Sequence, residues 1–240
     1  HYTMGGLWVD YELQTSVKGL FALGECNFSD HGANRLGASA LMQGLSDGYF
    51  VIPYTMQNYL SDQITVPRFS TDLPEFEEAE KGVQAEIDRI YNIQGDESVD
   101  HIHKKLYHIM WDYVGMARNA EGLKKALAML KDIRKEFNEH VYIPGSKEGL
   151  NVELDKAIHL RDFITMGELI AYDALNRNES CGGHFREESQ TEEGEAKRDD
   201  ENYMYVACWK YQGSDEVAPE LFKEPLDYKY IKVQVRNYKK

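Results

Sequence analysis

His31-Gly-Ala-Asn-Arg-Leu-Gly-Ala-Ser-Ala-Leu41 places an arginine between glycines in a tight loop, and that loop runs directly into an apolar helical pattern. Such a loop points a fixed cation and several free backbone N–H groups at one small volume. That arrangement suits an anionic ligand. The helical pattern extends from about Ala38 to Tyr59, and Pro53 should kink or end it. Upstream, Met4 to Asp10 and Lys18 to Gly24 carry strand-favouring residues between turn signals, which predicts two short strands. Residues 1–60 therefore read as an α/β unit.

Further along, Gln63 to Pro74 holds two prolines and little periodicity, and it marks a boundary. Beyond it, three apolar sets repeat at helical spacing. They are Phe76, Ala79, Val83, Ile87 and Ile90; Ile102, Leu106, Ile109, Met110 and Tyr113; and Leu123, Leu127, Leu130, Ile133 and Phe137. A fourth helix follows the breaker Tyr142-Ile-Pro-Gly-Ser146, with Ala157, Leu160, Ile164, Gly167, Ala171 and Ala174 on one face. Stripes of that width must pack against one another, which predicts a bundle of three or four antiparallel helices. The tail changes character again. Cys181-Gly-Gly-His-Phe-Arg186 reads as a loop, Glu187 to Glu201 as an acidic unpatterned run, and Tyr203–Tyr211 and Tyr228–Val235 as two strands. The fold class is α+β. It divides into residues 1–60, the α/β unit; 61–177, the helical bundle; and 178–240, a small β-containing domain.

Composition narrows the chemistry. The 240 residues carry a formal net charge of -14 at pH 7, which argues against nucleic acid and against binding anionic lipid through the bulk surface. A small dianion is still accessible, because one desolvated arginine outweighs a screened global field. The three cysteines (Cys26, Cys181 and Cys208) form no C-x-x-C pair, so they read as reduced thiols rather than a disulfide framework or a zinc site. His101, His103 and His108 suggest metal ligation until drawn on a helix, where His101 and His103 face different directions and read as surface residues. No apolar run approaches the ~20 residues of a membrane helix, so any membrane attachment is expected through a partner.

Three segments in order, His1-Tyr-Thr-Met-Gly-Gly6, Gly19-Leu-Phe-Ala-Leu-Gly-Glu-Cys26 and the 31–41 loop, closely resemble the flavoprotein subunits of fumarate reductase and succinate dehydrogenase. The resemblance covers nearly the whole chain and is strongest in residues 1–45. No glycine-rich nucleotide loop precedes His1, so the chain is expected to be the C-terminal part of a larger subunit. By the same resemblance, residues 1–60 are expected to be the C-terminal piece of an FAD-binding α/β domain. The resemblance implies that His1 and Arg35 bind the two carboxylates of succinate or fumarate, and that Glu25 accepts from the FAD ribose. It also implies that Ala40 and Leu41 occupy the pair that contacts the flavin. Family members usually read G-A/G-N-S-L there, so Ser39 replaces an asparagine and Ala40 a serine hydroxyl. The family's general acid and its flavin-linking histidine belong to a preceding half, so no catalytic acid is assigned here. Cys181 to Arg186 is similar to the family's S-R-G-x-H-x-R segment, with Cys181 in place of arginine and with His184 and Arg186 as a basic pair.

The implied cofactor is FAD in the complete subunit, held weakly or not at all by this chain alone. The implied partners are an iron–sulfur subunit and, through it, a membrane anchor. That puts the subunit in the cytoplasm, peripheral to the inner face of the membrane. Two other readings are open: L-aspartate oxidase, which shares the histidine and arginine motifs, and a non-catalytic helical scaffold that docks a partner.

Overall fold

A computed structural model describes residues 3–28, 31–215 and 217–234. The described residues of the first sixty wrap loops around one broken helix. The two strands expected at Met4–Asp10 and Lys18–Gly24 reduce to single bridges, Leu7 with Asn27 and Gln14 with Phe21. The backbone explains the correction. Gly5 and Gly6 have positive φ, and Asp10 to Gln14 close a turn through Leu13 at φ +65°. Neither run stays extended long enough for a ladder. A 3₁₀ turn, Gly24–Cys26, then leads to α1 (Ser39–Ser46). A π-helical turn over Asp47–Val51 joins α1 to α2 (Ile52–Leu60). Pro53 lacks an N–H and is tolerated in a first helical turn, so the discontinuity falls just before it.

Residues 64–73 are exposed and lead to α3 (Pro74–Tyr91). The core of the molecule is the bundle α4 (Val99–Val114), α5 (Ala120–His140) and α6 (Val152–Asn176). Its interior holds Ile102, Leu106, Ile109, Leu123, Leu130 and Ile164 among others. The predicted faces of α4, α5 and α6 are the faces that pack. Asparagine caps start two of these helices: Asn119 accepts from Gly122 N, and Asn151 from Glu153 N and Leu154 N. The polarity of the bundle can be read from its ends. Lys156 pairs with Asp100 at 3.2 Å, so α6 and α4 start together, and a shared loop binds both of their C-termini. A two-residue parallel ladder of β1 (Glu97–Ser98) with β2 (Val141–Tyr142) closes the other end.

One stripe departs from expectation. On α3 the C-terminal residues Ile87, Ile90 and Tyr91 reach the core, while Phe76 and Val83 stay more than half exposed. The tail adds α7 (Asp200–Tyr203) and a hairpin of β3 (Tyr205–Lys210) with β4 (Glu220–Pro225). The second strand therefore lies earlier than Tyr228–Val235, whose residues 228–234 are irregular and whose Val235 is outside the described residues. Phe222 pairs with Cys208 and Leu221 with Trp209, and the ladder stops at Pro225, which has no N–H to donate. The hairpin leans on the bundle through Trp209 Nε1, which donates to Asp173 at 2.9 Å, and through Arg134, which pairs with Glu168 and Asp215.

Candidate active site

Four buried or half-buried polar side chains organise the loops around α1. Asp47 accepts from Gly24 N at 2.8 Å and from Asn27 Nδ2 at 3.4 Å. Gln43 donates to Gly24 O at 3.1 Å and Asn27 Oδ1 at 2.9 Å, and its Oε1 meets His31 Nε2 at 3.1 Å. Asn27, Gln43 and Asp47 are all buried. The network pins the Gly24–Cys26 turn against one side of α1, which leaves the Glu25 side chain outward. Glu25 Oε1 accepts from Thr3 N at 2.8 Å, so the 3–6 segment lies against the same turn.

On the other side of the loop, Arg35 is half-exposed and its Nη1 donates to the next carbonyl, Leu36 O, at 3.2 Å. Its Nε is buried without a hydrogen-bond partner among the described residues. An orphaned guanidinium N–H is costly unless something anionic or carbonyl-bearing completes it. The start of α1 is incomplete in the same sense. Ala38 stands in the left-handed region at φ +66°, ψ -9°, at a cost of about 1–2 kcal/mol for a residue with a Cβ. Ser39 turns its hydroxyl back onto Leu36 O instead of capping, and no described side chain caps the helix. The N–H groups of Ala40 and Leu41 therefore face outward at the positive end of the helix dipole.

The structure thus gathers Glu25, Arg35, Ala40 and Leu41 around the start and flank of one helix. His1 lies outside the described residues. Below them the Cys181–Arg186 loop touches the Arg35 turn, where Gly183 N donates to Ala33 O at 3.1 Å. His184 and Arg186 do not face the same space. Arg186 is buried, and its guanidinium donates to Ala174 O and Leu175 O at the end of α6.

A family model described as the fumarate reductase flavoprotein C-terminal part matches residues 103–238, more than half of the chain, and an FAD-binding-domain model matches residues 1–41. The chain belongs to the fumarate reductase and succinate dehydrogenase flavoprotein family. The succinate dehydrogenase flavoprotein subunit of Bacillus subtilis is 28% identical over 240 residues, which is 100% of this chain and 39% of that protein. A solved quinol–fumarate reductase with menaquinol molecules superposes with a TM-score of 0.80 at 26% identity, over 97% of this chain and 38% of that one. An L-aspartate oxidase of Yersinia pestis is 28% identical over 186 residues, 77% of this chain and 31% of that protein. The chain spans between about a third and two fifths of the proteins it matches.

For a family flavoprotein, Asn27, Gln43 and Asp47 are the residues that sequence reasoning missed. Their one signal is spacing: Gln43 and Asp47 stand four apart on a helix whose neighbours are apolar. Burial also sets the chemistry of the adjoining loop. It pushes the Cys181 thiol up, so the group stays protonated at neutral pH, and it pushes His184 down below the ordinary imidazole range. Among the described residues no helix is long and apolar enough to cross a membrane.

Proposed function

We propose that this chain is the C-terminal part of a flavoprotein subunit that interconverts succinate and fumarate. When bound, FAD accepts or supplies the hydride. Arg35 grips one carboxylate of the dicarboxylate through charge-assisted hydrogen bonds, and His1 grips the other. Glu25 accepts from ribose hydroxyls of the cofactor. The N–H groups at Ala40 and Leu41 hold negative charge at the flavin beside the helix start. A fixed clamp draws charge toward the carboxylates and aligns the four-carbon chain with the cofactor, so it lowers the entropic part of the barrier. The residues at hand fit these groups on one observation above the others, the buried Arg35 Nε that lacks a partner among the described residues. Residues 1–60 serve the cofactor, 61–177 form the supporting bundle and 178–240 the buttress. In this reading electrons leave through an iron–sulfur subunit and a membrane anchor, which holds the subunit at the cytoplasmic face.

Arg35→Gln in the complete subunit tests this. Loss of one charge-assisted pair should raise the fumarate KM by roughly 10- to 100-fold, on the scale of about 1.5–3 kcal/mol, with bound FAD retained. An unchanged KM would remove the dicarboxylate reading. The L-aspartate oxidase relative keeps a second reading in play. Gly37-Ala38 departs from the N-R-M/L-A-S pattern usual in that enzyme, and turnover of succinate against L-aspartate separates the two.

A further inference from the structure

We propose that the Cys181–Arg186 loop is a brace that fixes the Arg35 turn, with Gly182 and His184 as positioning residues for the carboxylate clamp; this rests on the dicarboxylate reading above. The contact is close and backbone-made. Gly183 N donates to Ala33 O at 3.1 Å, two residues before Arg35. Gly182 stands at φ +60°, and a Cβ there would overlap the Ala33 carbonyl and its own Cβ. Only glycine allows the two loops to meet at this distance.

Behind the contact the loop is anchored more rigidly than a surface turn needs. His184 Nε2 meets Arg177 O at 2.8 Å, and its Nδ1 meets Arg118 Nη1 at 3.0 Å. A carbonyl only accepts and a guanidinium only donates, so the ring is held neutral with its proton on Nε2. Arg118 Nε in turn donates to Val114 O and Gly115 O at the end of α4, and Arg118 N donates to Phe185 O. Arg186 closes the end of α6 in the same way. The brace therefore ties the turn that carries Arg35 to the C-termini of two core helices. A guanidinium on a glycine-flanked turn has little intrinsic rigidity, and a misplacement of about 1 Å is enough to cost a large factor in rate.

The test uses the complete FAD-containing subunit and three variants. Gly182→Ala breaks the contact. Gly194→Ala carries a comparable backbone strain at φ +80° in the same tail, where the nearest atom is Gln190 Oε1 at 3.8 Å. His184→Gln loosens the anchor and keeps the glycines. Amide hydrogen exchange at Gly183, whose N–H donates to Ala33 O, is expected to rise roughly tenfold or more in Gly182→Ala, and the fumarate KM to rise by a similar factor with bound FAD unchanged. Gly194→Ala should change neither. Unchanged exchange in Gly182→Ala, or an equal rise in Gly194→Ala, overturns the brace. Should Gly182→Ala fail to fold, His184→Gln must show the same exchange signature, and full protection there also overturns it. Exchange reads the brace without ligand, so a subunit that protects the Gly183 amide yet ignores fumarate rejects the dicarboxylate reading alone.

Discussion

Asp47 carries the Glu25 turn on one carboxylate, and its loss would be felt twice. Asp47→Ala leaves the half-buried Gly24 N–H without its 2.8 Å partner. An unmet donor of that kind costs about 1–3 kcal/mol, measurable as a lower denaturant midpoint. The same variant should weaken FAD binding, because the turn that presents Glu25 is no longer pinned; unchanged stability would mean that the network is slack. His184 gives a pH signature with a definite sign. Burial lowers its folded pKa, helped by Arg118 and opposed by the Arg177 carbonyl and by Asp173. The unfolded chain then binds the proton first, so stability falls as pH drops below about 6.5. His184→Gln should flatten the melting temperature between pH 6.5 and 5, and an equal slope in both proteins would refute the assignment. Arg35 and Glu25 were legible as candidates because glycines and a short apolar run frame them. Asn27 and Asp47 were not, since a polar residue beside a turn reads as solvated until the opposite loop is folded over it.

At the scale of elements, periodicity alone placed α4, α5 and α6, because each buries a full face against two others. It could not say how much of α3 would be covered, since a stripe shows only what can be buried. The hairpin was half legible for a related reason: β4 carries Glu220, Lys223 and Glu224, whose charges hide its alternation, whereas Tyr228–Val235 alternates without a described partner. Two tests belong here. Gly167 lies where α6 crosses α4, and a Cβ would stand 3.0 Å from Met110 Sδ and 3.6 Å from Leu130 Cδ2. Gly167→Ala gains about 1 kcal/mol of helix propensity against a contact that Met110 can relieve, so it should be near neutral. Gly167→Leu has no such room and should cost about 1–3 kcal/mol by denaturation. The C-terminal half of α3 is held by Glu86, whose pKa is lowered to about 2, chiefly by its hydrogen bond from Arg89, with Arg161 adding to it. A depressed carboxylate stabilises above its ordinary value near 4.5 and loses that contribution as pH falls toward 2. Amide protection factors in α3, with the intrinsic exchange rate at each pH divided out, should accordingly fall at acid pH, and less so in Glu86→Gln.

Across the whole molecule, the bundle buries its own core and the loop end proposed to face the cofactor does not. The bundle buries a continuous core, whereas among the described residues of the loop end the buried apolar cluster is Val9, Leu13 and Ala22. Leu41, Met42, Phe50 and Tyr54 stand mostly exposed along α1, the π turn and α2, next to the residues proposed to meet FAD. Such a face is large for a chain in water, where apolar area costs about 25 cal/mol for each Å² left uncovered. Matched relatives are more than twice as long as this chain, so most of the envelope expected around a flavin comes from elsewhere. A cofactor held by one carboxylate and one helix start on an open face gains too few contacts to stay bound through purification. The 240-residue chain purified by itself should therefore elute without stoichiometric FAD, reduce no fumarate, and enhance the fluorescence of an apolar-surface dye, while its bundle melts cooperatively. Restoring the rest of the subunit should quench the dye signal and recover flavin absorbance together. Stoichiometric FAD on the isolated chain would mean that the Glu25, Arg35 and α1 surface is a complete cofactor site.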